Sequence, residues 1–158
     1  MSGRQLVTVS AAVGTGLAGG VFFAFSTFVM SGLRKLPPSN GIAAMQSINR
    51  QAPTPAFMTL LFGTAALSVG LGVHAVIHRD QPGAVWTGVG AGSYLVAILV
   101  TAGYHVPRND RLAEFESSSR EAAAYWSTYL SQWTSVNHVR TLASTIAAVA
   151  FTLSARSA

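Results

Sequence analysis

Long apolar stretches alternate with polar connections along this chain. Residues 6–30, 57–77 and 84–104 are nearly continuous apolar runs, each about as long as the 20 residues that one membrane crossing needs. A fourth run, residues 134–153, ends a segment that contains no proline or glycine. The pattern predicts an all-α integral membrane four-helix bundle, whose long fourth helix projects from the membrane over residues 120–133.

The connections carry signals that stop and start helices. Pro37-Pro38 ends the first helix, and Ser39 or Asn40 can cap a short interfacial helix over residues 40–50. A short, turn-rich connection follows the second run, as an antiparallel hairpin requires. In the third run, a glycine pair four residues apart predicts a close packing face, namely Gly88 and Gly92.

Composition supports a membrane protein. The 158 residues are 50% hydrophobic and 9% charged, whereas soluble domains are about a quarter charged. Four crossings leave no room for a further domain, so we expect residues 1–158 to form a single transmembrane domain. The absence of cysteine excludes disulfides, thiolate metal sites and thiol relays. The net charge of +5 is scattered, which disfavours nucleic-acid binding.

The positions of the basic residues favour one orientation. Four crossings place both termini and the second connection on one side, and the two long connections on the other. More Lys and Arg residues lie on the side of the long connections. We therefore predict that this side is cytoplasmic and that the protein lies in the plasma membrane.

One stripe of the fourth helix combines aromatic and polar residues. Trp126, Tyr129, Trp133, Asn137 and Arg140 recur at helical spacing. An aromatic belt with a snorkelling arginine is one interpretation. The other is a cavity inside the bundle, since buried polar groups need partners.

The long connections offer such partners. Asn49, Asn109 and Asp110 come from these connections, and Asp110 is a candidate counter-charge for Arg140. We expect these residues to help bind a small hydrophobic molecule at the mouth of the bundle. None of the acidic residues lies within an apolar run, which disfavours an ion-coupled carrier.

The histidines form two groups. His105 and His138 lie at the cavity end, where one of them could act as a general base. His74 and His78 have the i, i+4 spacing of metal ligands, with Asp80 nearby, but they are weak candidates without a further motif. No cofactor is indicated firmly, and copper or iron remains open.

Four ordered segments resemble the anthrone oxygenase-like family of small membrane proteins. They are AGGVFFAFS at residues 18–26, GIAAMQSIN at 41–49, VPRND at 106–110 and WTSVNHVR at 133–140. The resemblance implies oxidation of an anthrone to an anthraquinone by dioxygen, a reaction of the monooxygenase type in polyketide pathways. It also implies site positions at Asn49, Asn109, Trp133, Asn137, His138 and Arg140.

A mechanism follows as a hypothesis. The aromatic stripe, Trp126, Tyr129 and Trp133, stacks on a flat substrate, and His138 removes a proton. Arg140 and Asn137 stabilise the resulting oxyanion. The alternative is a non-catalytic membrane protein that binds a hydrophobic ligand or stabilises a larger membrane complex. Its partners would be lipids, an aromatic small molecule, or further copies of the chain.

Overall fold

The chain folds into helices joined by short connections. The computed structural model describes residues 2–157, and within that range there is no strand. The helices described are α1 (Gly3–Arg34), α2 (Pro38–Gln51), α3 (Pro55–Ile77), α4 (Ala84–Ala113) and α5 (Arg120–Arg156). The prediction of an all-α fold with a short helix after the first long one is confirmed.

Three of these helices, α1, α3 and α4, are long and apolar enough to cross a membrane. Helix α5 is longer, with 37 residues, but less apolar, because aromatic and polar residues fill its first half. It packs extensively against both α1 and α4. The fourth crossing, by the second half of α5, stays a prediction.

The predicted stripe of α5 faces the interior. Trp126, Tyr129, Trp133, Asn137 and Arg140 are each at most 6% exposed. Their spacing of three or four residues keeps them on one side of a helix with 3.6 residues per turn. The interpretation as a lipid-facing aromatic belt is therefore wrong.

Two helix boundaries differ from the prediction. Helix α2 begins at Pro38, without a cap by Ser39 or Asn40, because proline at the first helical position has a suitable φ and needs no donor. Helix α4 continues past Tyr104 to Ala113. A wider turn just before Pro107 interrupts the regular hydrogen-bond ladder, which lets the helix accept a proline.

Wider turns of this kind, π segments, occur in each of the three apolar helices. They span Phe25–Val29, Thr59–Gly63 and Thr101–His105. A polar side chain from another helix meets each segment or the turn before it: Asn137 donates to the Phe22 carbonyl, Tyr94 to the Leu61 carbonyl and Arg140 to Thr101 Oγ1. Single π turns are frequent at functional sites.

Hydrogen bonds tie the connections together at each end of the bundle. At the end that holds both termini, Arg4 Nη1 donates to Gln81 Oε1 at 2.8 Å. At the other end, Gln46 Nε2 donates to the carbonyls of Leu112 and Phe115, each at 2.9 Å. The second set holds α2 against the end of α4 and closes that end of the bundle.

Helices α4 and α5 approach closely at Gly90. A Cβ atom on Gly90 would lie 2.9 Å from the buried Phe151 ring. Gly88 and Gly92 have open space around them, because they lie on the outer side of α4. The predicted packing face at Gly88 and Gly92 is therefore wrong.

Gly90→Ala is expected to lower the free energy of unfolding by about 1–3 kcal/mol, because the added methyl group overpacks against Phe151. Gly88→Ala is the matched control and should be neutral or slightly stabilising, since alanine favours helix. Thermal unfolding in the same detergent measures both. Equal stability of the two variants would contradict the close approach at Gly90.

Candidate functional site

An apolar cavity of about 360 Å³ lies at the α2 end of the bundle. All five helices contribute to its walls, and it reaches each of the three π segments. Such a volume suits a small organic ligand. Most of the lining is hydrophobic, and the polar side chains include Asn49, Thr101, His105, Asn109, Asp110 and Arg140.

Arg140 provides a buried positive charge in this wall. Its Nε and Nη2 donate to Asn137 Oδ1 at 3.0 and 2.6 Å, and Nη1 donates to Thr101 Oγ1 at 3.2 Å. Its guanidinium carbon lies 4.3 Å from the centre of the Phe22 ring and 5.1 Å from that of Trp133. Because a guanidinium has five N–H groups, donors remain for a ligand.

No carboxylate within residues 2–157 forms an ion pair with Arg140. Asp110 is exposed at the edge of the cavity, so the prediction that it balances the charge of Arg140 is wrong. A buried cation without a carboxylate is electrostatically unbalanced. An anionic oxygen on a ligand would supply the missing charge through charge-assisted hydrogen bonds.

Asn137 fixes the position of Arg140. It is fully buried, and its Nδ2 donates to the Phe22 carbonyl at 2.7 Å and to Ser26 Oγ at 2.8 Å. Because Nδ2 is held by α1, Oδ1 must face the guanidinium. Asn137 therefore holds the guanidinium in place and does not line the cavity.

Of the three predicted aromatic residues, Trp133 alone lines the cavity. Its ring centre lies 5.6 Å from that of Phe25, which also lines the cavity. Trp126 and Tyr129 stack on each other in the core at 5.5 Å between ring centres. The prediction that Trp126 and Tyr129 wall the cavity is therefore wrong, because both rings pack behind that wall.

Asn109 joins two of these rings. Its Oδ1 accepts hydrogen bonds from the Tyr129 hydroxyl at 2.7 Å and from Trp133 Nε1 at 2.9 Å. Burial raises the pKa of the Tyr129 phenol, so this hydroxyl stays a donor at neutral pH. The bonds fix the plane of the Trp133 indole at the cavity.

The imidazole at the cavity belongs to His105. It is 1% exposed, with Nε2 3.3 Å from the Trp133 carbonyl and Nδ1 3.4 Å from the Val100 carbonyl. A neutral imidazole donates through one nitrogen only, so the other can accept a proton. His138 is exposed, because it follows Asn137 by one position and points about 100° away around the helix. The prediction of His138 as the base in this cavity is therefore wrong.

Asn49 offers a second free donor. It lines the cavity, and its Nδ2 is buried without a hydrogen-bond partner. The Asn49 side chain partly offsets the rise that burial causes in the pKa of the Tyr129 phenol. A ligand acceptor could pair with this amide.

The other histidine pair has the wrong geometry for a metal. The rings of His74 and His78 stack with centres 4.2 Å apart, and His78 Nδ1 lies 3.1 Å from the His74 carbonyl. Ring nitrogens that chelate one ion must converge instead. In the described part of the chain, no three His, Cys, Asp or Glu residues cluster as a metal site would require.

Sequence reasoning missed several contributors to the site. Thr101 bonds Arg140, while Phe22 and Phe25 supply rings to the wall. Thr101 and His105 lie four residues apart in a helix that looked apolar to its end. This spacing is the sequence signal for Thr101, because residues four apart lie on the same side of a helix. Both residues line the cavity.

These features define a helical bundle, with three helices long and apolar enough to cross a membrane, that surrounds an apolar cavity beside an unbalanced cation. A family model described as anthrone oxygenase matches residues 45–150, and the chain belongs to that family. The resemblance drawn from the four sequence segments is thereby confirmed. No curated protein and no solved structure matches the chain.

Proposed function

We propose that this protein is a membrane-bound oxygenase that oxidises an anthrone, or a related aromatic polyketide, to the quinone with dioxygen. The observation that carries the proposal is Arg140, a buried cation without a carboxylate in an apolar, ring-lined cavity. Membership of the anthrone oxygenase family supports it. A flat ketone that becomes an oxyanion complements both the apolar walls and the charge.

The reaction begins with removal of a proton from the anthrone methylene, which leaves a carbanion whose charge resides largely on the ketone oxygen. The carbanion transfers electrons to dioxygen and forms a C–O bond, giving a hydroperoxide after protonation. Loss of water breaks the O–O bond and leaves the second carbonyl. One dioxygen is therefore consumed for each quinone and each water, and the substrate supplies all the electrons.

Residues of this chain take separate roles in that reaction. His105 accepts the methylene proton at its unprotonated ring nitrogen, which first has to turn away from the backbone carbonyl that it faces. Arg140 stabilises the oxyanion. Trp133 and Phe25 hold the flat ring system, and the Asn49 amide pairs with a further oxygen. Asn137 and Asn109 keep Arg140 and Trp133 in position. This reaction needs no copper or iron, and stoichiometric metal in active protein would contradict a metal-free mechanism.

Oxygen uptake by the purified protein in lipid tests the function. An anthrone should give equimolar oxygen consumption and quinone formation, whereas the hydrocarbon anthracene, without an acidic methylene, should give neither. Binding of the anthrone without oxygen uptake above the uncatalysed rate would reject the oxygenase. That result would favour the alternative, a membrane protein that binds a hydrophobic ligand.

We further propose that α5 provides the fourth crossing and that the long connections face the cytoplasm from the plasma membrane. The chain has no cysteine, so single cysteines can report this topology. Asp80→Cys and Ser157→Cys should react with an impermeant maleimide added outside intact cells. Ser118→Cys should react only after permeabilisation. Labelling of Ser157→Cys on the same side as Ser118→Cys would contradict the fourth crossing.

A further inference from the structure

Part of the cavity lining is also part of the outer surface of the bundle. Val21 of α1 and Phe62 of α3 line the cavity, yet their side chains are 37% and 61% exposed. The remaining walls meet more tightly, because α5 packs extensively against both α1 and α4, whereas α1 and α3 touch less. The cavity therefore opens sideways between α1 and α3.

The depth of this opening decides what it faces. Val21 lies well inside α1 and Phe62 lies two turns into α3, and both helices are long and apolar enough to cross a membrane. Exposed hydrophobic residues surround them on the outer surface, among them Leu17 and Phe28. In a bilayer, this surface contacts acyl chains rather than water.

The other end of the cavity has a different character. Arg50 and Asp110 line it there, and both are exposed at the end of the bundle closed by α2. The cavity thus has an apolar opening within the membrane and a polar edge near the interface. Only the first opening matches a flat aromatic molecule that partitions into lipid.

We propose that the gap between Val21 and Phe62 is a portal through which a neutral, hydrophobic aromatic substrate enters from the bilayer. This inference rests on the proposed function and narrows its substrate class. An anion crossing acyl chains would lose its hydration without compensation, so the substrate enters uncharged. It ionises only in the cavity, where Arg140 balances the new charge.

A reversible plug tests the portal. Val21→Cys is modified in lipid vesicles with benzyl methanethiosulfonate, and the mixed disulfide is later reduced with dithiothreitol. The variants carry Trp86→Phe, because Trp86 is 45% exposed on the outer surface. A dihydroxyanthraquinone is mixed with these vesicles in a stopped-flow instrument, and quenching of the buried tryptophans, Trp126 and Trp133, gives the entry rate. The plugged protein should show a rate at least about tenfold lower, as about 1.4 kcal/mol added to a barrier produces. Reduction should restore it.

Leu17→Cys is the matched control, because Leu17 lies one turn away on the same exposed side of α1 and does not line the cavity. Its modification should leave the entry rate unchanged. An unchanged rate in plugged Val21→Cys, or no quenching in the unmodified protein, would overturn the portal. Normal entry without oxygen uptake from anthrone would instead reject the proposed reaction and leave the portal intact.

Discussion

Arg140→Gln is expected to lower anthrone-dependent oxygen consumption by about 10²- to 10³-fold, the usual effect of removing one oxyanion-stabilising donor. The thermal unfolding temperature should stay the same or rise. Arg140 is buried without a carboxylate. A neutral glutamine avoids the cost of burying a charge, and its amide can still donate to Asn137 Oδ1, which now accepts from Arg140. Steady-state oxygen uptake and thermal unfolding, measured in the same lipid preparation, check both effects.

Two further variants sharpen the interpretation of Arg140. Arg140→Lys keeps the charge but loses the paired bonds to Asn137 Oδ1, so it should recover only part of the activity. Arg108→Gln removes a cation that lies over the Tyr104 ring, outside the cavity lining, and should leave activity unchanged. Full activity of Arg140→Gln would remove the oxyanion role.

His105→Gln is expected to lower the same activity by about 10²- to 10⁴-fold, the range typical of general base catalysis. Glutamine keeps a hydrogen-bond donor for the surrounding carbonyls but cannot accept the methylene proton at neutral pH. The equilibrium affinity for a dihydroxyanthraquinone should change little, because Trp133 and Phe25 still form the wall. Rates of quinone formation and equilibrium fluorescence quenching separate the two effects.

His138→Gln is the matched control for His105→Gln, since the two histidines belong to the same end of the bundle but only His105 is buried at the cavity. Its activity should equal that of the unmodified protein. The opposite ranking, with His138→Gln inactive and His105→Gln active, would show that the base reaches the substrate from outside this cavity.

The inward face of α5 could be predicted because helical periodicity is a strong signal. Five residues from Trp126 to Arg140 share one side at spacings of three and four, and a polar pair at the end of that stripe needs partners inside a bundle. Burial of the stripe and the position of Arg140 at the cavity follow from this pattern. The family resemblance added the reaction, which no spacing contains.

The details of the site could not be predicted from such spacing. His138 lies beside Asn137 in sequence, but adjacent residues of a helix point in different directions, so proximity in sequence favoured the wrong histidine. His105 follows the third apolar run, and a proline two residues later, Pro107, favours an end to the helix there. The wider turn at Thr101–His105 accommodates that proline, and it depends on contacts with α5 that a single segment does not reveal.

The three π segments have a consequence for how this bundle can diversify. Each one adds a residue to a turn and so rotates everything on one side of it by about 100° relative to the other side. The portions of α1, α3 and α4 nearest to α2 are thereby aimed independently of the portions that pack deeper in the bundle. Insertion or loss of one residue in a π segment would change which side chains of that helix end face the cavity. The contacts of the rest of the helix would stay in register.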